Sequence, residues 1–190
     1  MLVNHHAMDR NRGVFFAPLT QAVVDNEGIL RLVWWKGNEK LKHEPIVVKL
    51  PKIISPDSMV MMDNVFDTRQ GLVLEGKLRL PDAKDTKLHG LYIEHGNSIG
   101  TAILVDSNGV CEIGSIQADG SNFKREGRTN RDARIGYPTH FRLLLKQSLL
   151  EFYLDDLLMH CHSLPQNATG RIGIFHDSNQ HIVSSLKAWR

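Results

Sequence analysis

The chain has 190 residues, of which 42% are hydrophobic, 23% charged and 7% aromatic. That balance is globular and excludes a collagen-like, coiled-coil or disordered chain. Twenty-three Lys and Arg against 21 Asp and Glu leave a formal charge of +2, too little to argue for a nucleic-acid partner.

The N-terminal stretch MLVNHHAMDRNRG has no apolar h-region, so no signal peptide is expected and the cytoplasm is the default location. No run approaches the roughly 18 apolar residues of a membrane span, so no membrane partner is expected. His5-His6 reads as an incidental pair of neighbours. QAVVDNEGILRLVWW reads as strand, turn and strand, with Asp25-Asn26-Glu27-Gly28 at the turn. Asp at the first position and Gly at the fourth suit a type I hairpin turn, because Gly accepts the positive φ that closes it. Trp34-Trp35 ends the second strand, which predicts one ring facing inward and the other outward. An outward Trp35 is a candidate sugar platform, or it packs under the following loop. Residues 38–43 predict one helical turn. Residues 1–50 thus form a lead-in carrying a hairpin, and 51–190 the main domain.

GLVLEGKLRLP (71–81) alternates cleanly and is stopped by Pro81. LHGLYIEHG (88–96) is another strand, on which Tyr92 and Glu94 share a face while His95 points away. With Asn97 they form a candidate sugar-binding edge, or plain solvent-side alternation. AILVDSNGVCEIGSI repeats the strand-turn-strand form, with Asp106-Ser107-Asn108-Gly109 at the turn. Lys124, Arg125, Arg128, Arg131 and Arg134 read as a long solvated loop, because no aromatics are interleaved to stack nucleotides. Cys111 and Cys161 lie far apart and outside any CxxC, which excludes a zinc ribbon or disulfide framework; two buried free thiols are the expectation, with a single bridge between them as the alternative.

The segment 141–164, FRLLLKQSLLEFYLDDLLMHCHSL, reads as strands 141–146, 149–154 and 157–163, with turns at Gln147-Ser148 and Asp155-Asp156. Pairing 154 with 157 and 146 with 149 collects Phe141, Leu143, Leu145, Leu150, Phe152, Leu154, Leu157, Met159 and Cys161 on one face. All nine are apolar, and a one-residue slip would scatter them. The other face collects Arg142, Leu144, Lys146, Leu149, Glu151, Tyr153, Leu158, His160 and His162, with Glu151 beside His160 and Arg142 beside Tyr153. A flat aromatic among charged groups is the kind of surface that holds a sugar. It equally suits a polar interface with another domain or chain, or plain surface. His160 and His162 with Glu151 could also hold a metal, although Cys161 points the other way, and the expectation is no metal and no cofactor. RIGIFHD (171–177) is a further strand, and Asn167-Ala168-Thr169 fits a glycosylation sequon. Many short antiparallel strands, each with one apolar face, predict an all-β antiparallel sandwich.

FRLLLKQSLLEFYLDDLLMHCHSLPQNATGRIGIF resembles the last strands of a concanavalin-A-like (lectin/glucanase) jelly roll. More narrowly, the run of LLEFYLDD, SLP and TGRIGIF is similar to the C-terminal β-sandwich of family 32 glycoside hydrolases, the invertase, inulinase and levanase group. FFAPLTQAVVDNEGILRLVWWKGNEKLKHEPI is similar to the passage from their catalytic propeller into that module. The family's WMNDPN-like, RDP and EC motifs are absent; Glu112 follows Cys111, the reverse order. Retaining glycosidases need two carboxylates about 5 Å apart. Glu151, Tyr153 and Asp155 alternate like a glucanase acid strand, but Tyr153 stands at the middle position and same-face neighbours are about 7 Å apart.

The resemblance therefore implies a non-catalytic accessory module that stabilises a catalytic β-propeller, binds carbohydrate, or both. The site residues expected for binding are Arg142, Glu151, Tyr153, His160, His162, Trp35, Tyr92 and Glu94. A self-standing lectin-like protein, a stand-alone glycosidase using Glu151, and a homo-oligomer stay open.

Overall fold

The computed structural model describes residues 1–4, 6–8, 14–50, 59–81, 88–96, 98–130, 138–164, 169–175 and 182–190. In chain order the strands are β1 (Leu2–Val3), β2 (His6–Met8), β3 (Val14–Phe16), β4 (Thr20–Val24), β5 (Leu30–Trp34), β6 (Pro45–Ile46), β7 (Met59–Asp67), β8 (Leu72–Leu78) and β9 (Gly90–Glu94). They continue as β10 (Ile99–Val105), β11 (Cys111–Gln117), β12 (Lys124–Thr129), β13 (Thr139–Lys146), β14 (Leu149–Leu154), β15 (Leu157–Ser163), β16 (Thr169–Phe175) and β17 (Val183–Trp189). A short 3₁₀ helix, Lys36–Leu41, stands where one helical turn is expected. No helix among the described residues is long and apolar enough to cross a membrane.

Among the described residues, two sheets face each other. A nine-stranded sheet runs β1-β4-β5-β15-β14-β13-β8-β17-β6, and a six-stranded sheet runs β12-β11-β10-β9-β16-β7. A two-stranded ribbon, β2-β3, forms a third sheet, with β2 lying against β15. Every pairing is antiparallel, as an all-β sandwich of the jelly-roll kind requires. The lead-in contributes directly to the larger sheet: β4 pairs β5, and β5 joins β15 through Leu157 and Val33.

The turns close as their residues dictate. Asp25 and Asp106 each accept two backbone N–H groups on Oδ1, and Gly28 and Gly109 take the positive φ. The Asp155-Asp156 turn has positive φ at both residues without a glycine. Its cost is offset by outside bonds: the His140 N–H donates to Asp155 Oδ1 at 2.9 Å, and Arg142 Nη1 to Asp156 Oδ1 at 2.7 Å.

The core lies between the sheets. Phe141, Leu143, Leu145, Leu150, Phe152 and Leu154 are all at most 1% exposed, and Met62, Ile103 and Ile113 meet them from the opposite sheet. Pairing of β13 with β14 follows the sequence register, Phe141 opposite Leu154 and Arg142 opposite Tyr153.

Pairing of β14 with β15 departs from it. Leu154 faces Leu157 and Tyr153 faces Leu158, but Phe152 then faces His160, so Met159 is an extra residue in a β-bulge. Past the bulge every side chain changes sides. His160 and His162 turn inward, and Cys161 turns out beside Glu151. Eight of the nine apolar residues thus keep the inward face, and Cys161 is exposed rather than buried.

The bulge has a physical cause in the opposing sheet. Thr129 Oγ1 donates to the Met159 carbonyl at 2.6 Å, and the His160 Nε2–H donates to the Cys111 carbonyl at 2.9 Å. The extra residue's carbonyl is thereby satisfied rather than stranded. Thr129→Val keeps the shape and removes the donor. It is expected to cost about 1–2 kcal/mol in urea unfolding, whereas a change within a few tenths of a kcal/mol would mean that water serves the carbonyl equally well.

A second difference concerns the basic stretch. Lys124–Thr129 is edge strand β12, not a loop. Glu112 on β11 draws Arg125 to 2.8 Å and Arg128 to 3.5 Å, and charged side chains on an edge strand discourage pairing with another chain. His5, Asn97, Arg131, Arg134 and Asn167 lie outside the described residues.

Candidate functional site

The outward face of the nine-stranded sheet carries Arg142, Leu144, Leu149, Glu151 and Tyr153, joined by Val73, Glu75 and Trp189 from β8 and β17. The lead-in lies across its middle. Trp34 packs edge-on against Tyr153, with ring centroids 5.3 Å apart, and the Arg142 guanidinium stacks 4.1 Å from the Trp34 ring. Arg142 Nε donates to Glu75 at 2.5 Å, and Lys42 Nζ reaches the same Glu75 oxygen at 2.7 Å. Trp34 Nε1 and Lys42 both donate to Glu39. Burial works to raise the Glu39 pKa, but the bonds from Lys42 and Trp34 outweigh it and hold the carboxyl below its ordinary range.

Glu151 and Tyr153 are 0% exposed, and the Tyr153 hydroxyl donates to Glu151 Oε2 at 2.8 Å. Burial, reinforced by the Glu151 charge, pushes the Tyr153 phenol far above its ordinary value. A carboxylate so enclosed cannot meet a glycosidic oxygen in this conformation. The centre of the mixed face is therefore a closed polar interface between the lead-in and the sheet.

The remaining residues named from sequence are brought to three other places. Trp35 is half-buried, and its ring covers Gly37, where any Cβ would collide with it. Tyr92 and Glu94 do share the outward face of the six-stranded sheet. Tyr92 is 1% exposed against Phe175, and Glu94 is engaged by Arg171, whose Nη2 lies 3.1 Å from Oε1. That bond holds the Glu94 carboxyl below its ordinary range. His160 and His162 sit between the sheets, His162 with Nε2 3.3 Å from Glu126. They stand on the opposite side of the sheet from Glu151, so the three cannot share an ion. Among the described residues no group of three His, Cys, Asp or Glu is arranged to hold a metal.

An open cleft lies at one end of the same outward face. Its volume is about 450 Å³, within the range of small-ligand sites. Val73, Leu144 and Leu149 form an apolar floor, and Trp189 stands beside it on the strand paired with Val73, with Lys42 Nζ 4.9 Å from its ring centroid. Phe16 and Pro18 form one wall, and Asn38 and Leu41 from the 3₁₀ helix, with His43 just after it, contribute another. Gln70, Lys146 and Arg190 supply polar groups at the end. Asn38 is fixed by donating to the Leu19 carbonyl at 2.7 Å, and Arg190 Nη1 donates to Gln70 Oε1 at 2.9 Å. Gly71 lies against the Lys146 stem, so the loop follows the lysine closely.

No family model matches this chain, and no curated protein matches its sequence. Solved structures do match. A carbohydrate-binding module, CBM66 from Bacillus subtilis, superposes with a TM-score of 0.51 at 12% identity, over 76% of this chain and 89% of that one. A fructan 1-exohydrolase IIa from Cichorium intybus, solved with 1-kestose, gives 0.58 at 15% identity, over 99% of this chain and 44% of that. An Aspergillus kawachii β-fructofuranosidase gives 0.54 at 12% identity, over 99% and 35%. The likeness is one of fold. The chain is an all-β antiparallel sandwich of the concanavalin-A-like jelly-roll kind, similar in fold to this module and these enzymes, and it spans less than half of the two enzyme chains.

Sequence reasoning reached the sheet face but placed the site at its closed middle. Of the cleft residues it placed only Leu144, Lys146 and Leu149 on that face. Phe16, Gln70 and Trp189 come from three distant segments and share no spacing. The usable signal was the Trp at the end of β17, whose alternation puts it on the same side as Leu144.

Proposed function

We propose that this chain is a non-catalytic carbohydrate-binding β-sandwich, an accessory module of a larger glycoside hydrolase of the family 32 kind. The observation that carries the reading is the cleft: an apolar floor, an aromatic ring beside it, and amide and charged groups at its end. A sugar needs that combination, because its C–H faces pack on an aromatic while its hydroxyls pair with planar polar groups. The fold likeness supports it, since a carbohydrate-binding module, a fructan 1-exohydrolase and a β-fructofuranosidase share the architecture. In this reading residues 1–50 are the lead-in from a preceding catalytic domain and 51–190 the sandwich.

The lining also speaks against bond cleavage in the cleft. It holds no Asp or Glu among the described residues, and acid–base hydrolysis of a glycoside uses two. The module would hold a sugar chain near a catalytic site elsewhere.

A glycan array on the isolated chain tests this, followed by titration of the best ligand into Trp189→Ala. Binding in the micromolar to sub-millimolar range is expected, weakened at least about tenfold by the substitution. The same chain should leave chromogenic glycosides intact. Turnover that survives purification and is lost in Glu151→Gln would replace the module with an enzyme, and absence of binding across the array would remove the reading.

A further inference from the structure

The ligand's chemical class can be read from the charges around the cleft, given the sugar-binding role proposed above. Three groups at its polar end are cations or donors: Lys146, Arg190 and the Gln70 amide. They are not equally available. Arg190 Nε lies 3.3 Å from Glu44, so a carboxylate already offsets its charge, and its Nη1 is spent on Gln70 Oε1. With that oxygen occupied, the Gln70 side chain offers its N–H groups to a ligand.

Lys146 differs. Its ammonium donates to two backbone carbonyls, Arg69 at 3.0 Å and Gln70 at 3.3 Å. Both acceptors are neutral, so they orient the ammonium without cancelling its charge, and one of its three N–H groups is left for the cleft among the described residues. The result is an exposed positive charge, oriented by two carbonyls, beside an amide donor, at the end of an apolar floor that holds no acidic side chain among the described lining residues.

We propose that the cleft selects a carboxylated sugar, a uronate or similar acidic residue, with the carboxylate at Lys146 and the Gln70 amide and the ring over Val73, Leu144 and Trp189. A charge-assisted bond to a carboxylate is stronger than one to a hydroxyl. A neutral sugar would leave the ammonium paired with carbonyls and water alone.

The test is titration of matched pairs, oligogalacturonates and glucuronate-containing oligosaccharides against their methyl esters, into the wild-type chain, Lys146→Gln and Lys146→Arg. The acid form should bind about tenfold more tightly than its ester at low salt, with the preference shrinking as salt rises. Lys146→Gln should bring the acid down to the level of the ester, and Lys146→Arg should keep the preference. Equal binding of acid and ester, or loss of the preference in both variants, would overturn the assignment while leaving a sugar-binding cleft. Failure of every acidic and neutral sugar to bind would instead remove the site itself.

Discussion

Arg142→Met is expected to destabilise the chain by about 3–5 kcal/mol, the usual result of removing one partner from a buried ion pair. Arg142 is 5% exposed and Glu75 8%, so neither charge is relieved by bulk water. The substitution removes four contacts at once: the bond to Glu75, the bond to Asp156 that steadies a turn of two positive-φ aspartates, the stack on Trp34, and a longer ion pair with Glu39 at 3.9 Å. Lys42 still reaches Glu75 at 2.7 Å, which places the expected loss nearer the lower end of that range. Adding Glu75→Gln to Arg142→Met should recover part of it, since a buried carboxylate that has lost one of its two cations is then gone; a coupling of about 1–3 kcal/mol is expected. Urea unfolding of the four proteins measures it. A loss under about 1 kcal/mol would show that water screens the pair, and the lead-in would then be only loosely bound to the sheet.

Acid should weaken the sandwich in two separate windows. The first belongs to the histidines. Burial, with the nearby His162, lowers the His95 pKa to about 4, and burial also lowers those of His160 and His162. Each is neutral in the fold and takes a proton readily when unfolded, so the unfolded state binds more protons below its pKa of about 6.5. Their contribution is therefore complete above that value and is lost as pH falls toward the folded pKa. From 6.5 to about 4 the His95 share alone is on the order of 3 kcal/mol. The second window lies lower. Asp25, Asp67, Glu94 and Asp119 have lowered pKa values, held mainly by Arg31, Arg69, Arg171 and Ser121 respectively, and their contribution goes as pH falls below the ordinary carboxylate range. His95→Gln retains a partner for Thr101, which His95 Nε2 meets at 2.7 Å, and should remove the His95 share of the first window while leaving the second. Thermal melts from pH 7.5 to 3.5 separate the two; unchanged stability between pH 7 and 5 would contradict the buried, neutral state of the three rings.

The parts of the molecule that could be read from sequence are those governed by local rules. The Asp-x-x-Gly turns at 25–28 and 106–109 are set by the side chain of the first residue and the missing Cβ of the last. The inward face of β13 and β14 is set by strict alternation of large apolar residues. Alternation failed at Met159 because the deciding partners, Thr129 and the Cys111 carbonyl, sit on the other sheet, and a chain read residue by residue carries no sign of them. The same local reading would have exposed His160 and hidden Cys161.

The mixed face shows the other limit. Arg142, Glu151 and Tyr153 have the composition of a sugar site, and the structure turns that chemistry inward, where the lead-in's Trp34, Glu39 and Lys42 complete it. Composition alone cannot tell a polar surface from a polar seam. What remains open beside the seam is the cleft, whose Phe16, Gln70, Lys146 and Trp189 meet through topology alone.

The chain has three tryptophans, Trp34, Trp35 and Trp189, and their indole N–H resonances report on three separate environments. Titration of the best array ligand, followed by nitrogen–proton correlation spectra, tests the cleft most directly. The Trp189 indole should move with saturation while the Trp34 and Trp35 indoles stay in place. Movement of the Trp34 or Trp35 indole with Trp189 unmoved would contradict a sugar site in this cleft.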